Sequence, residues 1–84
     1  MARVELKFFA SLREKVGMDS HSMLFEGSHT VASLLTALAE QSTQFDDYYS
    51  DNPVLVAVNK TMVEHSHPVY DQDEVALFPP VTGG

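Results

Sequence analysis

The residues best placed to do chemistry are the last two, Gly83 and Gly84, which follow Pro79-Pro80-Val81-Thr82. Two glycines make a thin tip that can enter a channel too narrow for other residues and adopt φ values closed to them. Two prolines stiffen the base of the segment and lower the entropy lost when it is held by a partner. Stretched out, residues 79–84 reach about 20 Å beyond the strand before them, and the carboxylate of Gly84 stands at the tip. A carboxylate is a poor electrophile. Joined to AMP, it becomes a mixed anhydride that a nucleophile can attack. Such activation needs ATP and a second protein, because Gly17, Gly27, Gly83 and Gly84 form neither of the glycine patterns that cradle phosphates. A Gly-Gly terminus alone is more often a frayed end, so the weight of the reading rests on the scaffold behind it.

Other polar groups carry less. His65 and His67 share one face of an extended chain, but no further ligands stand at a zinc-binding spacing, and a solvated loop pair is expected. Asp71, Asp73 and Glu74 read as a turn rather than as acid–base partners, for want of a cleft to shift a pKa. Asp46-Asp47 reads as a solvated face, and His21 and His29 as surface residues. The chain has no cysteine, which excludes disulfides, thiolate metal sites and thiol nucleophiles.

The elements that must position the tail follow from periodicity. In residues 3–9 Val4, Leu6 and Phe8 alternate with Arg3, Glu5 and Lys7, the pattern of a half-buried strand with Phe9 on its polar side. A short helical turn from Ala10 to Val16 is expected to end at Gly17, and a second strand to span His21 to Phe25. Thr30 is a good N-cap for a helix from Val31 to Gln41, whose Val31, Leu34, Leu35 and Leu38 fall on one face and form core. Thr43 to Asn52 is a loop or short helix. Val54 to Val58 reads as a buried strand, Asn59-Lys60 as a tight turn, and Met62-Val63 as a short return strand. Pro68 and Asp71-Gln72-Asp73 mark loops. Glu74 to Phe78 is the last strand, closed by Pro79-Pro80. The expected fold is α+β, a mixed sheet of about five strands with one main helix on one face. With the first and last strands adjacent in its centre, this is the β-grasp, or ubiquitin-like, arrangement. The division is a domain over 1–78 and an extended tail over 79–84.

At 84 residues only one domain fits. Twelve acids against five bases give a net charge of −7, which speaks against nucleic acid as a partner. Four of the bases, Arg3, Lys7, Arg13 and Lys15, precede Val16. The longest apolar run, Val54 to Val58, is far too short to span a bilayer, and Met1-Ala2-Arg3 leads directly into an alternating charged segment. A cytoplasmic protein with no membrane partner is expected.

Three segments carry a resemblance: VELKFFASLREKVG near the start, VLVAVNKTMV in the middle, and DEVALFPPVTGG at the end. Over essentially the whole chain they are similar to the small, sulfur-carrying subunits of molybdopterin synthase, a ubiquitin-like family of molybdenum-cofactor biosynthesis. The resemblance implies that Gly84 is adenylated by a partner similar to ubiquitin-activating enzymes and then converted to a thiocarboxylate. It implies that the tail enters a large synthase subunit, in an assembly of two small and two large subunits, and gives its sulfur to a pterin precursor. The small subunit would not be catalytic alone and would bind no cofactor or metal; the ATP is used by the activating partner. Partner contacts are then expected from Phe9, Arg13, Met62, Phe78, Pro79, Pro80, Val81 and Thr82, with Gly83 and Gly84 as the reacting end. Strand phase independently places Phe9 and Phe78 outward on neighbouring strands, as an apolar patch at the root of the tail. Met62 extends it with a side chain suited to repacking. The alternatives are a sulfur carrier of the thiamine pathway, a ubiquitin-like modifier that forms isopeptide bonds, and a binding module that uses only its sheet face.

Overall fold

The structure, a computed structural model, describes residues 1–80. The opening alternation forms β1 (Ala2–Phe8), with Val4, Leu6 and Phe8 buried. It ends one residue earlier than the pattern suggests, because Phe9 becomes the extended N-cap of α1 (Ala10–Val16). Gly17 closes that helix in the left-handed region at φ 82°, where its N–H donates to the Arg13 carbonyl. β2 (Ser20–Phe25) then returns antiparallel to β1.

The main helix, α2 (Val31–Gln41), has the predicted bounds. Thr30 and Ser33 cap it reciprocally: the Ser33 N–H donates to Thr30 Oγ1 at 3.2 Å and the Thr30 N–H to Ser33 Oγ at 2.9 Å. Val31, Leu34, Leu35 and Leu38 are at most 1 % exposed. Each contributes about 1.5–3 kcal/mol by leaving water. The segment after it is a helix, α3 (Thr43–Asp51), started by Ser42, whose hydroxyl accepts from the Phe45 N–H at 3.1 Å. Phe45 anchors it in the core.

β4 (Leu55–Val58) starts one residue later than expected, and β5 (Thr61–Val63) follows the Asn59-Lys60 turn. Both turn residues have positive φ, 50° and 71°, as a two-residue hairpin of matching twist requires. β7 (Glu74–Phe78) completes a five-stranded sheet in the order β2-β1-β7-β4-β5. Its central pair, β1 and β7, is parallel, and the other neighbours are antiparallel. Among the described residues there are three helices, and α2, the expected main helix, is the longest.

A small second sheet corrects the reading of Pro68 as loop. β3 (His29–Thr30) pairs with β6 (Pro68–Val69), which places Pro68 opposite Thr30. The chain just before it serves α2: the Val31 and Ala32 N–H groups donate to the His67 and His65 carbonyls at 2.9 and 2.8 Å. Nor is His65 a solvated loop residue. It is half-buried, and its Nε2 donates to the Val54 carbonyl at 2.8 Å. His29 is similarly tied, with Nε2 donating to the Glu26 carbonyl at 3.1 Å and Nδ1 3.0 Å from Ser33 Oγ. Such two-residue strands and side-chain ties have no periodicity to reveal them.

Candidate functional site

Parallel pairing of β1 with β7 brings the ends of both strands to one pole of the molecule. Phe9 follows β1 and Phe78 ends β7, and both leave the core side of the sheet. The Phe9 backbone is fixed from two directions: its N–H donates to the Leu77 carbonyl, and its carbonyl accepts from the Arg13 N–H, each at 3.2 Å. The two rings stack with centroids 4.8 Å apart and planes 14° apart. Such a pair gains about 0.5–1.5 kcal/mol beyond the area it covers.

Phe78 also forms one wall of an open groove of about 360 Å³, lined by Ala10, Leu55, Met62, Phe78, Pro79 and Pro80. All six are apolar. Register explains the assembly: Leu55 is opposite Phe78, Ala57 opposite Ala76 on one side and Met62 on the other. The two alanines keep the floor low while Leu55, Met62 and Phe78 stand above it. Leu55 is 39 % exposed and Met62 58 % exposed, so apolar area there is unburied at the point where the chain leaves β7.

Ala10 enters this wall in an unusual conformation. Its φ is 54°, in the left-handed region that costs a residue with a Cβ about 1–2 kcal/mol. The bend turns the chain directly after Phe9 and lets α1 start beside β1 and β7 while Phe9 stays on Phe78.

Arg13 is not in the groove. It lies on α1 with its Nε 3.7 Å from Asp19 Oδ1, both side chains largely exposed. With Lys7, Phe9, Asp19 and Glu74 it borders a separate, polar depression. The stacked pair of Phe9 and Phe78 is thus a ridge: apolar groove on the Phe78 side, charged hollow on the Phe9 side. Phe9, Met62, Phe78, Pro79 and Pro80 come together as expected, and Arg13 flanks them. Val81, Thr82, Gly83 and Gly84 lie outside the described residues. Leu55 and Ala10 are additions. Leu55 was hidden in the run Val54 to Val58, which reads as buried throughout; only the alternation of faces within it exposes position 55.

Among the described residues no group of three or more His, Cys, Asp or Glu side chains could hold a metal ion. No helix there is long and apolar enough to cross a membrane. Asp71 is the one described group whose acidity clearly moves. The Arg3 N–H first, and the Gln72 side-chain amide second, hold its carboxyl below the ordinary value of 3.8. It lies at the opposite end of β1 from the groove and has no part in it.

The model of the ThiS family matches residues 6–84. The chain belongs to the ThiS family. It is 43 % identical over 81 residues to a protein of Escherichia coli (strain K12) named molybdopterin synthase sulfur carrier subunit, covering 96 % of this chain and 99 % of that one. A Haemophilus influenzae protein of the same name is 35 % identical over 77 residues, covering 92 % and 94 %. Among solved structures, small archaeal modifier protein 1 of Haloferax volcanii superposes with a TM-score of 0.82 at 29 % identity, covering 96 % of this chain and all of that one. The β-grasp architecture is therefore that of ubiquitin-like carriers and modifiers.

Proposed function

We propose that this chain is the sulfur carrier subunit of a molybdopterin synthase. The carboxylate of Gly84 attacks the α-phosphate of ATP on an activating partner, giving the acyl adenylate and pyrophosphate. A sulfur nucleophile then displaces AMP and leaves a thiocarboxylate. Within a large synthase subunit the thiocarboxylate sulfur passes to a pterin precursor, and the carboxylate is regenerated. The ATP belongs to the activating partner, and the chain itself carries no cofactor. The site of action is the cytoplasm.

The observation that carries the reading is the apolar groove at the root of the tail, on a chain whose near-full-length relatives bear that name. Phe9, Phe78, Leu55 and Met62 give a partner apolar area to cover, and Pro79-Pro80 launch the tail from beside it. Arg13, across the ridge, offers the partner a charge. Two small and two large subunits form the working assembly. The absence of cysteine agrees with a carrier that holds sulfur on its terminus, since no side-chain thiol is present.

Intact mass spectrometry after incubation with ATP, the activating partner and a sulfur donor tests this. Replacement of one terminal oxygen by sulfur is expected. A covalent adduct to another protein would instead establish the modifier reading, which the likeness to an archaeal modifier protein favours as the second choice. A thiocarboxylate that serves only thiazole formation would assign the chain to the thiamine pathway. No change of mass would leave a binding module.

A further inference from the structure

β2 forms the far edge of the sheet, at the opposite side from β5. Its hydrogen-bonding phase can be read directly. The Phe8 N–H donates to the Asp19 carbonyl at 2.9 Å, and the register continues with Leu6 opposite His21, Val4 opposite Met23 and Ala2 opposite Phe25. Bonded pairs alternate along an antiparallel ladder. His21, Met23 and Phe25 therefore turn their backbone groups toward β1, and Ser20, Ser22 and Leu24 turn theirs onto the open edge. Edges are ordinarily blunted by proline, by lysine or other charges, by a bulge or by brevity. β5 uses brevity, with three residues. β2 uses none: its sequence is SHSMLF and its register with β1 is unbroken. Leu24, on the outer face, is 62 % exposed.

From this we infer that β2 is a docking edge for a second copy of this chain, paired antiparallel about a two-fold axis at Ser22. In that register Ser22 meets Ser22 of the other copy, and Ser20 meets Leu24 of the other copy in both directions. Every open N–H and carbonyl of the three residues then finds a partner. The register also matches outer face to outer face, and a slip of one residue would not. Leu24 comes to lie over Ser20 of its counterpart, removing an exposed apolar side chain from water. No charged residue of one β2 meets another. The nearest charges in the central row are the two Glu5 carboxylates, about 14 Å apart across three strand spacings and so beyond the ~8 Å screening length at physiological salt. The joint is smaller than the roughly 1,200 Å² of a stable interface, which makes it weak and reversible. Antiparallel pairing also sends the two β1–β7 poles in opposite directions. Both tail roots stay open, so the inference stands apart from the proposed function.

The net charge of −7 on each copy opposes approach at long range, so salt strengthens this pairing. A foreign basic strand on the same edge would bind more weakly in salt. The test is sedimentation equilibrium of the full chain up to about 1 mM, at low and high salt, with Ser22→Pro and Leu24→Lys alongside. Proline at 22 removes an edge donor from each copy but none from the β1 ladder, the placement that edge strands tolerate. The expected result is a dimer that grows with concentration and with salt, weakened about tenfold or more in both variants, with the folded sheet kept in each. If Ser22→Pro does not fold, Leu24→Lys alone decides. Wild-type protein that stays monomeric throughout would overturn the inference. So would a dimer that survives Leu24→Lys, association that weakens with salt, or concentration-dependent amide shifts centred on Met62 and Phe78 instead of on Ser20, Ser22 and Leu24.

Discussion

Across the outer face of the sheet, β7, β4 and β5 present Ala76, Phe78, Leu55, Ala57 and Met62, with Glu74 at the start of β7 beside Glu5, whereas β1 and β2 present Arg3, Glu5, Lys7, Ser20, Ser22 and Leu24. The inner face is mostly apolar, and Val4, Leu6, Phe8, Met23, Val56, Val58, Val75 and Leu77 are buried there in the core. Only the outer face is divided, and its two halves differ in how far they satisfy themselves. On the polar half, Ser22 Oγ donates to Glu5 Oε1 at 2.6 Å, Arg3 Nη2 to Ser22 Oγ at 3.3 Å, and Arg3 lies 3.5 Å from Glu5. That network is complete without a partner, and exposed pairs of this kind are worth at most about 1 kcal/mol. On the apolar half no described residue substitutes for a partner. Covering it gains roughly 25 cal/mol for each Å² removed from water. Leu24 at the β2 edge apart, one sheet thus separates side chains at rest in solvent from side chains that gain by being covered, and the tail starts beside the second.

The largest effect expected is at the tip of that tail. Deleting Gly84 should abolish thiocarboxylate formation while leaving the melting temperature unchanged, because the last strand ends at Phe78. Mass spectrometry and thermal unfolding on the same sample check both halves of the statement. A truncated protein that still supported molybdopterin synthesis would remove the carrier reading altogether.

Phe78→Ala should weaken docking to the large subunit by about 2 kcal/mol, a loss near thirtyfold in affinity, as buried aromatic anchors do. Lys7→Ala, on the polar half of the same face, should cost less than about 0.5 kcal/mol. Calorimetric titration of both variants decides it. Equal losses would mean that the partner covers the whole face and that the division has no bearing on recognition.

Much of this division was legible in the sequence. Alternation in RVELKFF and EVALF set which side chains face out, and those two strands lie side by side and parallel, with the longest helix, Val31 to Gln41, in the chain between them. Phe9 beside Phe78 followed from phase together with the expected adjacency of the first and last strands. Leu55 did not, because a run of five apolar residues carries no visible alternation until its neighbours are known. The ties of His65 and Pro68 were invisible for a related reason. They satisfy the first N–H groups of α2 and pair with a two-residue strand, and such contacts depend on distant backbone rather than on local pattern. The left-handed Ala10 was equally hidden, since alanine gives no signal for positive φ.

Ala10 supplies a prediction of intermediate size. Its φ of 54° is strained for a residue with a Cβ, and it lines the groove. Ala10→Gly should relieve the strain and raise stability by about 1 kcal/mol, after the extra freedom glycine gives the unfolded chain is set against it. If the bend serves to hold Phe9 on Phe78, docking should be unchanged or slightly weaker in a protein that melts higher. A lower melting temperature in thermal unfolding would show that the bend is not a strained feature.

The smallest effect belongs to the opposite pole, behind the polar half. Asp71 Oδ1 accepts from the Arg3 N–H at 2.8 Å and from the Gln72 side chain at 3.2 Å. These bonds, that of Arg3 foremost, lower its pKa from 3.8, and burial opposes them only weakly. A carboxyl acidified by folding binds its proton more readily when unfolded, so its contribution is complete above about 3.8 and disappears as pH falls through the lower folded value. Asp71→Asn keeps an acceptor for the Arg3 N–H but has no charge to lose. The melting temperature of the wild type should therefore fall more steeply below pH 3.8 than that of the variant, while docking at neutral pH is the same for both. Parallel melting profiles would show that the Arg3–Asp71 bond does not anchor the start of β1. A docking defect at neutral pH would extend the partner's reach to a pole that the apolar groove does not touch.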